Sequence, residues 1–246
     1  MGLFDFLSKE GRDKRSLERN INRAVNKYAQ SPDRYKALQS LIEDGSPDAV
    51  YGALRRFGMV YDKSIEDEQE KEWLFDALVE KGAAILPQVE RFLQSADSIS
   101  WPLRLLDKVA GKEHELDMLQ KILERHEPGY ERDPTKKIQL LNHLADIKEP
   151  RAAGLVAPYL VDMDEGVRYA AAEALIRLGD ENAAREPLIE HFVDDTEESL
   201  RVRLEIARGF LERGWLVKTH RPAFDKKLPE QFAIDREGRL KKKAGT

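Results

Sequence analysis

The sequence predicts an all-α protein, a solenoid of stacked helix pairs that ends in a short non-helical or β-ribbon tail. Three observations predict it. Apolar residues recur at helical spacing along most of the chain, separated by short Ser, Pro and Gly punctuation. No strand-like alternation interrupts that series, which argues against a parallel α/β sheet. One segment also repeats itself at a period in the low-to-mid thirties, with two helices per unit.

The helices can be taken in order. Leu17, Ile21, Ala24, Val25 and Tyr28 fall on one stripe, so a helix is expected over 17–30, capped by Ser16 and ended by Ser31-Pro32. Leu38, Leu41 and Ile42 mark a second over 33–43. Ser46-Pro47 then reads as an N-cap with proline at the first helical position, ahead of Val50, Ala53, Leu54 and Phe57. Residues 61–70 are acidic, without a strong apolar period, and are expected to begin as a loop. Trp73, Leu74, Ala77 and Leu78 follow on a helix closed by Gly82. Further helices are expected at about 84–94, 99–110, 113–126 and 135–147.

The stretch from Pro150 to Arg213 carries the repeat. Asp164, Val167, Arg168, Ala171, Ala174 and Leu175 stand in the pattern Asp-x-x-Val-Arg-x-x-Ala-x-x-Ala-Leu. A shift of 35 residues carries Val167 to Val202, Arg168 to Arg203, Ala172 to Ala207, Leu175 to Phe210 and Gly179 to Gly214. A shift back of 31 carries Arg168 to Lys137, Leu175 to Leu144 and Leu178 to Ile147. Such periods belong to quasi-one-dimensional arrays in which each pair buries its apolar face against its neighbours.

The motif at 164–175 resembles the second half of a HEAT repeat. Residues 181–214 are a looser copy, and 113–147 a looser one still. The resemblance implies a HEAT-like α-α superhelix of about five to six helix pairs, right-handed, with second helices lining a concave side. It implies protein binding as the usual role and assigns no activity. Residues 1–214 are read as the solenoid, with 1–15 as a cap or arm. Residues 215–246 are read as the tail. There Trp215-Leu-Val217 is β-prone, and Gln231–Ile234, Asp235–Gly238 and Arg239–Lys241 have the form of a small hairpin with glycine in the turn. Pro222 and Pro229 are expected to keep the stretch between them non-helical.

Composition bounds the function. The chain has 246 residues, 35% of them charged, and no cysteine, so disulfide frameworks and thiolate metal sites are excluded and a cytoplasmic location is the simple expectation. No apolar run approaches the roughly 18–20 residues that span a bilayer. Residues 1–36 hold 9 Lys and Arg against 5 Asp and Glu, residues 37–212 hold 22 against 37, and residues 213–246 hold 10 against 4. An acidic body with basic ends repels nucleic acid and makes protein the expected partner. The basic tail (Arg236, Arg239, Lys241, Lys242, Lys243) and the apolar Leu3, Phe4, Phe6 and Leu7 would give at most weak contact with a membrane surface.

The residue patterns that carry catalysis are incomplete in this sequence. His114-Glu115 opens like a zinc-protease helix, but position 118 is Met, so the second ligand is missing. No phosphate-cradling glycine loop follows a strand, and no Gly-x-Ser-x-Gly elbow or thiol nucleophile exists. Acidic runs such as Glu66-Asp67-Glu68 and Asp194-Asp195 read as solvated loops. No catalytic residue, cofactor or metal ligand is assigned. Candidate partner-binding residues lie on the second helices: Arg168, Tyr169, Glu173, Arg177, Arg201, Arg203 and Arg208, with Arg104 and Lys108 beside Trp101. For Arg168, Arg201 and Arg203 a structural role competes, in which they bond along the stack to turn carboxylates such as Asp164 and Asp195.

The expectation is therefore a non-catalytic scaffold or adaptor. The alternatives are a helical-repeat enzyme, resembling bilin lyases or the DNA glycosylases of the alkylation-repeat type, or a regulatory subunit whose tail is a docking arm.

Overall fold

The computed structural model describes residues 9–61 and 64–243. The apolar Leu3–Leu7 segment lies outside them. Among the described residues the chain is all-α apart from one short C-terminal hairpin, and it divides into two compact units, 1–115 and 116–246.

The first unit carries α1 (Lys9–Ala24), α2 (Ser31–Asp44), α3 (Pro47–Leu54), α4 (Ser64–Val79), α5 (Leu86–Ser95) and α6 (Ser100–Val109). First helices α1, α3 and α5 pack in one layer, and second helices α2, α4 and α6 in another. Ala37, Leu38, Leu41, Leu54, Leu74, Leu78, Val89 and Leu105 fill the space between. The Ser46 side chain accepts from the Ala49 amide at 3.3 Å, with Pro47 inside the first turn.

The first helix departs from the sequence reading. It starts upstream of Ser16 and stops at Ala24, leaving Tyr28 exposed, and Ser31-Pro32 opens α2 rather than ending α1. Proline ends a helix when its ring meets the preceding turn. In a first turn its missing N–H costs nothing. The same dipeptide at 46–47 shows the second behaviour.

The second unit carries most of α7 (Lys112–Leu123), then α8 (Thr135–Leu144), α9 (Pro150–Val156), α10 (Glu165–Leu178), α11 (Glu181–Val193), α12 (Leu200–Arg213) and α13 (Arg221–Lys227). Helices α8, α10 and α12 pack side by side, and α9, α11 and α13 form the other layer. The 35-residue repeat is visible atom by atom. Asp164 caps α10 through the Val167 amide at 3.1 Å, and Ser199 caps α12 through the Val202 amide at 3.2 Å. Gly179 and Gly214 end these helices at φ 72° and 68°, a left-handed conformation that favours glycine. Ala174 and Gly209 are also equivalent. A Cβ on Gly209 would stand 2.4 Å from Ile176 Cδ1, so the glycine sets how closely α12 lies against α10.

The tail closes this unit. Strands β1 (Phe232–Ile234) and β2 (Leu240–Lys242) pair antiparallel, with Phe232 opposite Lys242, and Leu216 bridges Arg239 from the other side. Phe224 stacks on Phe192 at 3.8 Å between centroids, with Phe210 at 5.5 Å, and Trp215 meets Phe210 edge-on. Pro222 does not keep this stretch open. It sits in the first turn of α13, where it favours helix and lets Phe224 reach the core.

Candidate functional site

In α8, α10 and α12 a cation lies three or four residues inside the helix, at Lys137, Arg168 and Arg203. Each turns back onto the loop that precedes its helix. Lys137 Nζ donates to the Gly129 carbonyl at 2.9 Å and to Asp162 Oδ2 at 2.8 Å. Arg168 Nη1 donates to the carbonyls of Asp162 and Met163 at 3.1 and 3.2 Å. Its Nε and Nη2 grip Glu197 bidentately at 2.7 and 3.1 Å. Arg203 Nη2 donates to the carbonyls of Asp194 and Glu197. For Lys137 and Arg168 the receiving carboxylate, Asp162 and Glu197, comes from the next repeat, and these two acids are themselves 35 residues apart, whereas Arg203 meets backbone carbonyls of its own loop. Lys137 and Arg168 thus hold one repeat to the next, and Arg203 pins the start of its own helix. Asp164 and Asp195 have other work: Asp164 caps α10, and Asp195 pairs with Lys227 at 2.6 Å.

Glu197 is the hub of that ladder. Its side chain is fully buried, accepts the Ser199 amide at 2.7 Å and meets His191 Nε2 at 2.8 Å. Burial alone would raise its pKa. The bonds from Arg168 and the Ser199 amide outweigh burial and hold the carboxyl below its ordinary value. Burial pushes His191 down, with Glu197 opposing only in part, so the ring is neutral at pH 7. A neutral ring that donates Nε2–H to Glu197 leaves Nδ1 as a bare acceptor, and Nδ1 has no partner.

The remaining candidates of this unit face outward. Tyr169, Glu173 and Arg177 follow at i, i+4 and i+8 on α10, and Arg201, Glu205 and Arg208 at i, i+4 and i+7 on α12. The Arg201 guanidinium lies 3.9 Å over the Tyr169 ring. The Tyr169 hydroxyl donates to Glu205 Oε2 at 3.2 Å, and Arg208 stands 4.0 Å from the same carboxylate. Arg177 donates to Asp146, beyond the end of α8. Burial and the nearby Glu173 carboxylate raise the Glu205 pKa against the lowering effect of its Tyr169 bond. Burial, then Glu205, raises that of Tyr169. The outcome is a ridge of long side chains held by one another. Arg104 and Lys108 belong to the first unit. Arg104 covers Trp101 at 4.1 Å and Phe75 at 5.0 Å, Trp101 stacks on Phe57 at 5.6 Å, and Lys108 lies 3.7 Å from Asp107.

Sequence reasoning missed a second ionic cluster. Arg34, Arg56, Asp67, Glu70 and Lys71 are all buried in the first unit. Arg56 Nη2 and Lys71 Nζ each reach Asp67 at 2.6 Å, while Arg56 Nε and Arg34 Nε share Glu70. Asp67 is thus no solvated loop residue. The signal was present: continuing the Leu74–Leu78 stripe of α4 towards its N-terminus by helical steps lands on Glu70, Lys71 and Asp67. Among the described residues no three His, Cys, Asp or Glu side chains gather as a metal site would need, and no helix is long and apolar enough to cross a membrane.

A family model described as HEAT repeats matches residues 112–207. These residues are HEAT repeats. The match includes most of the Pro150–Arg213 segment and extends upstream of it to the pair α7 and α8. Two solved structures can be aligned with the chain over most of its length. One comes from work describing how crescerin uses a TOG domain array to regulate microtubules in the primary cilium. It is 14% identical at a TM-score of 0.43, covering 93% of this chain and 96% of the other. The second is human deoxyhypusine hydroxylase in complex with glycerol, 17% identical at a TM-score of 0.29, covering 87% and 88%. Neither likeness assigns a role. No curated protein matches the chain in sequence.

Proposed function

We propose that the protein is a non-catalytic scaffold that binds a protein partner on the outward ridge of α10 and α12. The single observation behind this reading is the pre-ordered set Tyr169, Arg177, Arg201 and Arg208, with Glu173 and Glu205 between them. Tyrosine and arginine dominate binding hot spots because they bring large, stiff contact area. Here the free protein already holds them in place, so less side-chain entropy is lost on binding. Arg168 and Arg203 support the ridge from behind by fixing the helix starts. Residues 215–243 act as a terminal cap in this reading, since Trp215, Phe224 and Phe232 are buried against the last repeat. The absence of cysteine agrees with a cytoplasmic place of action.

The test is affinity capture from native extract with quantitative mass spectrometry. Wild-type protein is compared with a Tyr169→Ala/Arg201→Ala double variant whose circular dichroism and melting are unchanged. A partner recovered by wild type should fall at least about tenfold with the variant, as the loss of two hot-spot side chains implies. Equal recovery of every bound protein by both would refute the ridge as the binding surface.

A further inference from the structure

The ionic cluster of the first unit has an unbalanced charge. Among the described residues its buried part holds three cations, Arg34, Arg56 and Lys71, against two carboxylates, Asp67 and Glu70, and every one of these is at least nine-tenths buried. Buried charge without compensation is costly, so a cluster with a surplus cation favours an added anion.

A cavity of about 270 Å³ opens on this cluster, and its lining includes Lys27, Gln30, Ser31, Arg34, Tyr61 and Glu66. Tyr61 is 8% exposed, and its hydroxyl is buried without a hydrogen-bond partner. The Arg34 and Arg56 guanidiniums lie over its ring at 3.9 and 4.2 Å. Burial, helped by Glu70 and Asp67, raises the phenol's pKa against the lowering effect of the two arginines, so the group stays a neutral donor that lacks an acceptor. Arg34 donates from Nε to Glu70 and from Nη1 to the Ala29 carbonyl. The N-terminus of the fourteen-residue α2 adds a third source of positive potential, since Gln30 makes no side-chain capping bond there. Lys27 supplies an ammonium, and Glu66 is the acidic residue of the lining.

We propose that this cavity binds a phosphate group. The Arg34 guanidinium and the helix end come from α2, the Lys27 ammonium from the loop before it and the Tyr61 phenol from a distant loop, so donors approach from more than one direction, which suits a tetrahedral dianion with several acceptor oxygens better than a planar carboxylate. The volume leaves room for a substituent on the phosphate. Both inorganic phosphate and a phosphorylated side chain present this chemistry.

The full chain is titrated with inorganic phosphate, phosphoserine and acetate, followed by calorimetry and ³¹P NMR. One saturable phosphate site is expected, weakened about tenfold in Tyr61→Phe, the effect of deleting one hydrogen bond to a charged group. Lys27→Gln should weaken it several-fold. Phosphate should raise the melting temperature of wild type more than that of either variant. Tighter binding of phosphoserine would point to a phosphorylated side chain as the natural occupant, and tighter binding of inorganic phosphate to the free ion. No saturable binding, unchanged affinity in both variants, or acetate binding as tightly as phosphate would overturn the proposal. Lys27 is a surface residue, so its variant decides the matter even if Tyr61→Phe fails to fold. The result is independent of the scaffold reading, which rests on residues of the other unit.

Discussion

Replacing Glu197 with glutamine removes one charge and almost no volume, and it strikes the ladder at its hub. The carboxylate receives Arg168 Nε and Nη2 and the Ser199 amide, and it meets His191 Nε2. Glutamine offers one carbonyl oxygen for these donors and sets an NH2 against the rest. Removing one partner of a buried ion pair costs about 3–5 kcal/mol. Arg168 keeps its two carbonyl acceptors and is 17% exposed, so the lower end applies, and glutamine's remaining acceptor reduces the loss to about 2–3 kcal/mol. For a unit of this size that is a fall in melting temperature of roughly 6–12 °C. Urea unfolding at pH 7 measures it. The pH dependence supplies a second check. The folded pKa of Glu197 lies below its ordinary 4.5, so its contribution is complete above that value and disappears as pH falls through the folded pKa. The gap between wild type and Glu197→Gln should therefore close at acid pH. A difference below about 0.5 kcal/mol at neutral pH, the range of ordinary surface substitutions, would refute the idea that the ladder joins the repeats.

Three further outcomes are expected. His191 has a folded pKa below 6.5, so the unfolded chain binds a proton first and wild-type stability should decline as pH drops from 6.5; His191→Gln should flatten that slope in denaturation series between neutral pH and about pH 5. Gly209→Ala gains about 1 kcal/mol of helix propensity but forces Ile176 aside, for a net loss of about 1 kcal/mol; in an Ile176→Ala background the same change should become stabilising, which a double-mutant cycle in urea reads directly. Glu70→Gln should cost about 3–5 kcal/mol because it leaves Arg34 and Arg56 facing one carboxylate, whereas Arg239→Ala, which breaks the exposed pair with Glu237, should stay within about 0.5 kcal/mol, both measured by thermal melting.

The contrast between Ser31-Pro32 and Ser46-Pro47 shows what local sequence can carry. Both dipeptides begin helices, yet the first reads as a stop because a plausible apolar stripe precedes it and Tyr28 sits in phase with that stripe. Only packing reveals that Tyr28 stays outside the core, largely exposed with Lys27 over its ring. The repeat was legible because the 35-residue shift preserves size and polarity at each position that matters, including Arg168 and Arg203. Their partners were harder to see. The acceptors on the Arg203 side are backbone carbonyls, which no side-chain pattern encodes. The acceptor for Arg168 is Glu197, two residues past the pair of aspartates that seemed the natural choice.

The buried cluster of the first unit fails for a different reason. A periodicity argument that counts only apolar residues ends the α4 stripe at Trp73 and Leu74, although the same face continues through Lys71, Glu70 and Asp67. Charges can occupy a core face when partners from other helices meet them, and Arg34 and Arg56 lie 36 and 14 residues away from Glu70. Sequence spacing cannot pair residues across that distance. It can show that ionisable groups fall in phase with a buried stripe, and that is the place where a fold gathers charge it does not fully neutralise. At Tyr61 such a buried cation surplus lies beside a buried hydroxyl with no bond partner, at the wall of a cavity, and it is that coincidence of charge, unmade bond and space that singles out the site.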